Sequence, residues 1–547
     1  ARDIYTMMLA QYADSVEETA EIRRLIGVCF LEEGLPQEAK LFWTLPEKID
    51  FLIKTNSTQS TWQRILTRQT ETLIQSGLSD IALVNYENLL KNQSLNNPTL
   101  ACPDGVGAWL YLNYGRARAA TPADWAGALE YYLKAKLTAP AFEPDNIDDL
   151  IVGLLLQTGL FEPAIEKINR TLAEISNEPD KNTQKIAILT TLARLYQLNG
   201  QYDKAIESLK SASALNPDKT EFLYQLGSLY RANKQFKEAL ETYEKLIQIN
   251  RADLKPLYLK AITYERMGEK ELQEKTLQAI TAATRGFPEE RHYEIADYLT
   301  KIDQPEWAEA EWHQVLKKAP FESLYDCNAY GYLSEIAIRK EDFRKAIDYI
   351  RRERPMILPE NITIYVDLKT LFSHEAFYIF ESFERFAFLD ASLDYLMAKD
   401  YQKNNRIEEA VQKYRHSLEV LPVETAVLDE LVELGIDREK LSQSAERLIK
   451  YYETKIRLYP ESGYYYLRLA ETHWLLGDNL GTGQKYLTRA MQLAPGLLEN
   501  YVLMAKYSQK KKDYQTAERL IQSLINLKPD NQDYRKLLEE FIKERNK

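Results

Sequence analysis

The apolar residues of this chain recur at helical spacing along most of its length. In stretches of about a dozen residues they return every three or four positions, which marks one face of an α-helix. Short polar turns, such as residues 197–202, separate these stretches. The pattern predicts a chain of short helices arranged in pairs.

The helical pairs repeat with a period of 34 residues. Residues one period apart are alike in two successive units: Leu192 and Leu226, Tyr196 and Tyr230, Ala205 and Ala239, Asn216 and Asn250. A unit of this length holds two helices and their turns, and it buries its apolar face by stacking on its neighbours. The repeat therefore predicts an all-α chain with the elongated shape of a solenoid.

Many of the pairs also carry two small residues twelve positions apart. They are Gly27 and Ala39, Thr70 and Ala82, Ala193 and Ala205, Gly227 and Ala239, Ala296 and Ala308, Ser334 and Ala346, Ala398 and Ala410, and Ala505 and Ala517. A tight helical hairpin requires small side chains where its two backbones approach most closely. An aromatic residue follows four positions later in many units: Trp43, Tyr86, Tyr132, Tyr243, Trp312 and Tyr414. We expect these rings to fill the seam between hairpins, where each stabilises the fold by roughly 1.5–3 kcal/mol.

This arrangement resembles the tetratricopeptide repeat, with small residues at the eighth and twentieth positions, an aromatic residue at the twenty-fourth and proline near the thirty-second. Pro217, Pro320 and Pro495 are among the prolines at or beside that last position. The resemblance covers most of the chain and implies an α-solenoid (superhelix) of about thirteen helical hairpins. Their registers are 20–53, 63–96, 109–142, 145–178, 186–219, 220–253, 254–287, 289–322, 327–360, 391–424, 429–462, 463–496 and 498–531.

Two interruptions divide this array into segments. We expect degenerate hairpins in residues 1–96, a loop in 97–108, a central array in 109–360, an irregular aromatic-rich helical insertion in 361–390, a second array in 391–531 and a capping helix in 532–547. The Phe and Tyr side chains of the insertion either pack into the stack or form an exposed docking patch. The sequence leaves these two readings open.

Composition and charge argue against several classes of function. The formal net charge of -12 argues against a surface for nucleic acid, because such surfaces are rich in Lys and Arg. The three cysteines and five histidines are too scattered to form a disulfide framework or a metal site. The sequence has no phosphate-binding loop of the GxxxxGK[ST] type, and we expect neither a cofactor nor a catalytic site. The most apolar stretch, residues 150–161, is too short to cross a membrane.

The resemblance also implies which side chains face a ligand. In this repeat family the first helix of each hairpin lines the concave surface, and its second, fifth, ninth and twelfth positions point into the groove. Transferred to this chain, these positions or their neighbours are Arg194, Gln197, Tyr224, Arg231, Lys255, Tyr258, Arg266 and Tyr293. Tyrosine and arginine are frequent anchors of protein interfaces. The alternative reading is that these tyrosines stack between neighbouring hairpins.

One specialised form of the repeat binds chaperone tails with Lys and Asn at the fifth and ninth positions. Here those positions hold Thr190 and Arg194 in one unit and Tyr224 and Ser228 in the next. Because this departs from the specialised pattern, we do not expect recognition of a chaperone C-terminus.

The sequence therefore predicts a non-catalytic protein–protein interaction scaffold that binds a peptide or protein partner in the concave groove. The alternative is a regulatory or substrate-recruiting segment of a larger enzyme or membrane-associated complex whose catalytic part lies outside this chain. RNA binding by a related helical repeat is a third reading, against which the acidity and the period of 34 argue. The basic residues around Arg344 and Arg351 are a further candidate surface, suited to an acidic segment. The identity of the partner, the compartment (cytoplasmic or extracytoplasmic) and the oligomeric state stay open.

Overall fold

The structure is a computed structural model that describes most of the chain. The described residues are 2–11, 16–32, 39, 42, 66–67, 69–70, 72–74, 78–96, 106–120, 124–138, 147–176, 181–320, 323–357, 374–420, 425–436, 438–459, 462–477, 480–529 and 531–545. Within these ranges the regular secondary structure is helical, and no strand occurs. This part of the chain is the all-α solenoid that the repeat predicts.

The longer helices are numbered here in chain order. They are α1 (Arg2–Gln11), α2 (Val16–Glu32), α3 (Ser79–Asn96), α4 (Val106–Ala119), α5 (Trp125–Thr138), α6 (Ile147–Thr158), α7 (Phe161–Ser176), α8 (Asn182–Leu198), α9 (Tyr202–Leu215), α10 (Glu221–Ala232), α11 (Phe236–Ile249), α12 (Lys255–Met267), α13 (Lys270–Thr284), α14 (Glu289–Lys301), α15 (Pro305–Lys318), α16 (Leu324–Arg339), α17 (Phe343–Ile357), α18 (His374–Lys403), α19 (Ile407–Val420), α20 (Thr425–Glu433), α21 (Arg438–Leu458), α22 (Gly463–Leu475), α23 (Leu480–Leu493), α24 (Glu499–Lys510), α25 (Tyr514–Leu527) and α26 (Gln532–Arg545). Consecutive helices from α8 to α15 form antiparallel hairpins that coincide with the predicted units. The unit at 254–287 forms its hairpin although Gln273 occupies a position that usually holds a small residue.

The hairpin turns share one backbone geometry. A residue in the left-handed region recurs at intervals of one period, as Gly200 (φ 73°), Lys234 (φ 59°) and Gly268 (φ 77°). The backbone N–H that follows it reaches back five residues, so that Gln201 donates to the carbonyl of Tyr196 at 2.8 Å. This Schellman geometry satisfies carbonyls at the end of the first helix and reverses the chain within a few residues.

Small residues and aromatic rings meet inside the hairpin at 220–253, whereas the sequence predicts such rings in the seam between hairpins. Ala239 and Tyr243 have no exposed surface, and a Cβ placed on Gly227 would lie 2.8 Å from Cζ of the Tyr243 ring. Trp312 and Tyr414, which hold the corresponding position in other units, are also fully buried. The rings therefore occupy the space that the small residues leave.

The last hairpins return to the early part of the array. Helix α23 contacts α6, and α25 contacts α8. One apolar cluster accordingly contains Leu154 and Leu192 from the early units together with Leu503 and Leu520 from the late ones. The sequence predicts an elongated stack, and nothing in the repeat pattern indicates this closure, because contacts between distant units leave no periodic signal.

Two of the predicted segments lie partly outside the described residues. These are the loop at 97–108, of which 97–105 is not described, and the insertion at 361–390, of which 361–373 is not described. The described part of the insertion belongs to α18, which continues as the first helix of the next hairpin. Helix α26, which spans most of the predicted capping segment, packs on α25 and buries Phe541.

Candidate functional site

The first helices of three successive hairpins line a groove of about 620 Å³. Its polar lining comprises Thr190, Arg194 and Gln197 of α8, Glu221, Tyr224 and Ser228 of α10, and Lys255 of α12. The three residues of α8 hold the fifth, ninth and twelfth positions of the unit at 186–219. Those of α10 hold the second, fifth and ninth positions of the next unit, and Lys255 holds the second position of the unit at 254–287. The repeat geometry thus places equivalent positions of neighbouring units side by side on one surface.

One wall of the groove is fixed by a tyrosine–carboxylate contact. The hydroxyl of Tyr224 donates to Asp253, which also accepts the backbone N–H of Lys255 at 3.0 Å. The ammonium group of Lys255 lies 5.4 Å from the centre of the Tyr298 ring, a cation–π distance. Burial raises the pKa of Tyr224, and the hydrogen bond to Asp253 raises it further. The phenol therefore stays protonated and keeps donating to the carboxylate at neutral pH.

The opposite wall holds a second set of paired charges. Arg194 forms an ion pair with Asp149. Asp148 accepts hydrogen bonds from Lys136 and from the hydroxyl of Thr191, each at 2.6 Å. Between the two walls, Glu221 and Gln225 are exposed and Ser228 is half-buried. The charges of the walls are largely balanced within the fold, and the floor offers hydrogen-bonding groups to a ligand.

The groove brings together four of the eight residues that the sequence predicts, namely Arg194, Gln197, Tyr224 and Lys255. A fifth, Arg231, is half-buried close to Tyr298 at the edge of the groove. Burial raises the pKa of Tyr298, and the positive charge of Arg231 opposes that rise.

Tyr258 lies in the core and not on the groove surface. It is 4% exposed, and its hydroxyl donates to Oε1 of Glu311 at 2.7 Å. The other oxygen of Glu311 lies 2.6 Å from Nδ1 of the buried His292. The contact joins the units at 254–287 and 289–322, which fits the alternative reading that some of the tyrosines stack between hairpins.

The last two predicted residues also lie outside the lining of the groove. The Tyr293 ring packs edge-on against Trp312 at 5.1 Å and against Tyr325 at 5.3 Å, and is half-buried. Arg266 is exposed near the end of α12. We therefore leave Tyr258, Tyr293 and Arg266 out of the candidate site.

A second groove, of about 430 Å³, lies among the late hairpins. Its lining includes Glu471 and Trp474 of α22, and Glu499, Val502 and Lys506 of α24. The sequence prediction of binding residues concentrated on the units between 186 and 322 and missed this groove. The same positional rule points to it, since these residues hold the ninth and twelfth positions of one unit and the second, fifth and ninth of the next.

The basic stretch that was a further candidate is largely matched by acidic side chains. Arg339 lies 3.0 Å from a carboxylate oxygen of Asp303, and Lys345 lies 2.9 Å from one of Glu309. Arg344 contacts Asp400 at 3.3 Å. This surface is therefore a mixed-charge face and is less suited to an acidic partner than its sequence indicates.

Within the described part of the chain, no group of three His, Cys, Asp or Glu side chains could hold a metal ion. Across the same residues, no helix combines the length and the apolar character that crossing a bilayer requires. The candidate groove supplies hydrogen bonds, charges and aromatic faces, which are the means of binding a ligand.

Comparison with known proteins identifies the repeat. The family model described as the tetratricopeptide repeat matches residues 196–261, which contain much of the candidate groove. No curated protein matches the chain. A crystal structure of a tetratricopeptide repeat protein from Parabacteroides merdae is 18% identical in sequence to this chain. The match covers 46% of this chain and 94% of that protein, and the superposition has a TM-score of 0.25.

Two longer solved structures cover nearly the whole chain. Yeast Tom70 is 13% identical, covers 96% of each chain and has a TM-score of 0.28. The structure of Naa15/Naa10 bound to HypK-THB has the same identity of 13%, the same coverage of 96% and a TM-score of 0.28. Superpositions this loose say nothing about the partner of the present chain.

Proposed function

We propose that this tetratricopeptide-repeat protein is a non-catalytic scaffold that binds an extended segment of a partner protein in the groove between α8, α10 and α12. The observation that carries the proposal is the repetition of equivalent positions along one surface. Thr190 and Tyr224 hold the fifth position of successive units, and Arg194 and Ser228 hold the ninth. An extended peptide presents its own groups at regular intervals, so a periodic surface offers it successive, similar contacts.

The chemistry of the groove suits a peptide. Gln225 and Ser228 can pair with peptide N–H and C=O groups, because an amide and a hydroxyl each both donate and accept. Tyr224 and Tyr298 supply aromatic faces with little side-chain entropy to lose, since their positions are already fixed by Asp253 and Lys255. The groove is thus preorganised at its walls and adaptable on its floor.

Replacing Tyr224, Gln225 and Lys255 together by Ala tests the proposal. Partners captured from a native lysate by the unaltered chain are identified, and their affinity for each variant is then measured by calorimetric titration. We expect the triple variant to lose more than tenfold in affinity, because truncating one central anchor typically costs about 2 kcal/mol.

A matched control alters the exposed face of the neighbouring second helix. Lys237, Glu241 and Lys245 of α11 are all exposed, and their replacement by Ala should leave the affinity unchanged. If the groove residues only hold the hairpins together, the groove variant will melt at a lower temperature and bind with the original affinity per folded molecule. That result would reject the groove as the binding site.

A further inference from the structure

The early groove positions are covered by the chain's own late segment. In the unit at 145–178 the fifth, ninth and twelfth positions are Asp149, Gly153 and Leu156. A Cβ placed on Gly153 would lie 2.7 Å from the Tyr501 hydroxyl oxygen and nearer still to Pro495. The Arg519 guanidinium donates to the carbonyl of Leu156 at 3.1 Å. Surface that would face a ligand in an open array is thus occupied by residues 495–519.

The two parts are joined by hydrogen bonds between their helix ends. The side chain of Asn526 donates to the carbonyl of Leu198, the last residue of α8, at 3.1 Å. In return Gln197 donates to the carbonyls of Asn526 and Leu527, at 3.2 and 3.4 Å. The last carbonyls of a helix have no partner within it, so each helix end is completed by the other. This reciprocal capping defines how α8 and α25 meet.

The closure also forms a chamber that neither part has alone. This chamber, of about 520 Å³, is lined by Asp149 and Arg194 from the early units and by Glu499 and Tyr534 from the late ones. Arg194 also lines the groove of α8, α10 and α12, whereas Glu499 and Tyr534 also line the late groove. The chamber therefore borders both grooves.

We propose that residues 495–527 form a reversible clasp that covers the groove positions of the unit at 145–178 and controls whether a partner can reach them. The inference rests on the proposed function, since a partner that uses the groove would gain Asp149, Gly153 and Leu156 as contacts only after the clasp opens. The contacts that join the two parts include apolar packing and hydrogen bonds to backbone carbonyls, donated by Gln197, Asn526 and Arg519. Such contacts can be broken and remade without leaving a strongly charged group unpaired in the core. The ion pair of Asp149 and Arg194 lies beside them but within the early units, so opening the clasp does not break it.

An engineered disulfide tests the closed state. A Cβ on Gly496 would lie 3.8 Å from the Cβ of Asp149, which matches the mean Cβ separation of about 3.8 Å in disulfides. The double variant Asp149→Cys and Gly496→Cys, with Cys102 replaced by Ser, should form an intramolecular cross-link under mild oxidation. Absence of that cross-link, or its formation between two chains, would overturn the assignment.

Replacing Gly153 by Ala in the same background tests what holds the clasp shut. The added methyl group would press against Pro495 and Tyr501, so we expect cross-linking to slow at least tenfold and the radius of gyration from X-ray scattering to rise. The matched control is Gly331→Ala in α16, where the new Cβ would lie at an ordinary 3.5 Å from the Glu353 carboxylate. Equal cross-linking rates in the two variants would overturn the proposal. If Gly153→Ala does not fold, Gln197→Ala with Asn526→Ala removes the caps and is measured in its place.

Reversibility is tested by labelling a cysteine placed at position 149, with Cys102 again replaced by Ser and with Cys29 and Cys327 left in place because both are buried. A bulky maleimide, located by peptide mass spectrometry, should react slowly with Asp149→Cys in this background and at least tenfold faster when Gly153→Ala is added. Complete protection over hours, with rapid labelling of the unfolded chain, would show that the clasp does not open. These measurements use no partner, so their failure leaves the proposed groove untouched, and the failure of groove binding leaves the clasp untouched.

Discussion

Replacing Gly227 by Ala tests how tightly the hairpins of this repeat are packed. The new Cβ would lie 2.8 Å from Cζ and 3.0 Å from Cδ1 of Tyr243. The Cε1 atom of the ring would be closer still. Carbon atoms pack at about 3.5–4.0 Å, so the ring would have to move by more than about 1 Å. Tyr243 has no exposed surface and belongs to an apolar cluster that extends from the unit at 186–219 into the unit at 254–287, which leaves it little room to move.

The expected change in stability is the sum of two opposing effects. Overpacking a filled core costs about 1–3 kcal/mol. Alanine is favoured over glycine within a helix by about 1 kcal/mol. We therefore expect Gly227→Ala to lower the free energy of unfolding by up to about 2 kcal/mol. Gly331→Ala gains the same helix propensity without the clash, since its Cβ would lie 3.5 Å from the nearest Glu353 oxygen, and should stabilise by up to about 1 kcal/mol.

The stabilities of the two variants are compared by urea unfolding monitored by circular dichroism. Amide hydrogen exchange, measured helix by helix, then shows where in the chain the structure is weakened. Gly227→Ala should be less stable than Gly331→Ala by about 1–3 kcal/mol. The faster exchange should centre on α8 to α13, because the unit at 220–253 packs on the units before and after it. Equal stability of the two variants would refute the packing derived for Gly227 and Tyr243.

Two further predictions concern buried polar groups. Glu311→Ala leaves the hydroxyl of Tyr258 and Nδ1 of His292 without their carboxylate, which should lower the free energy of unfolding by about 1–3 kcal/mol for each group. Glu311→Gln keeps an acceptor and should lower the free energy of unfolding less. Similar urea midpoints for the two variants would contradict this prediction. Burial, assisted by Glu499, raises the pKa of Tyr534 to about 12, and burial raises that of Tyr507 to about 12. Unfolded tyrosine ionises near pH 10, so the folded state keeps the proton longer, and stability should be full below about pH 10 and fall towards pH 12. Urea unfolding at each pH checks this, and a constant midpoint across that window would contradict it.

The helices and their hairpins could be predicted from the sequence because they depend on local, periodic signals. The twelve-residue spacing of Gly227 and Ala239 fixes where two helices approach, and Tyr243 then has one place to go. The unit with Gln273 forms its hairpin as well, although its own signal is weaker. Periodicity therefore predicts the stack well.

The positions of individual site residues were less predictable. Tyr224 and Tyr258 hold the same position in successive units, yet one lines the groove and the other is buried. The difference arises from their partners, since Tyr224 donates to Asp253 at a turn and Tyr258 donates to Glu311 inside the stack. Which acceptor lies nearby depends on how the units are rotated against one another. A position number does not contain that information.

The closure of the array was beyond prediction for a related reason. Its contacts join residues such as Gln197 and Asn526, which are more than 300 positions apart and belong to different units. The curvature of a solenoid is the sum of small rotations from one unit to the next. Small errors in each rotation accumulate, so the repeat sequence alone does not show whether the ends meet.

The central claim is that a partner protein lies in the groove between α8, α10 and α12, and site-specific photo-cross-linking tests it most directly. A photoreactive phenylalanine is placed either at Gln225, which is exposed in the groove, or at Glu241, which is exposed on the second helix of the same hairpin. Each variant is irradiated in a native lysate, and the cross-linked peptides are identified by mass spectrometry. We expect one partner segment to be captured repeatedly from position 225 and not from position 241. Equal capture from both positions, or capture from 241 alone, would contradict the account.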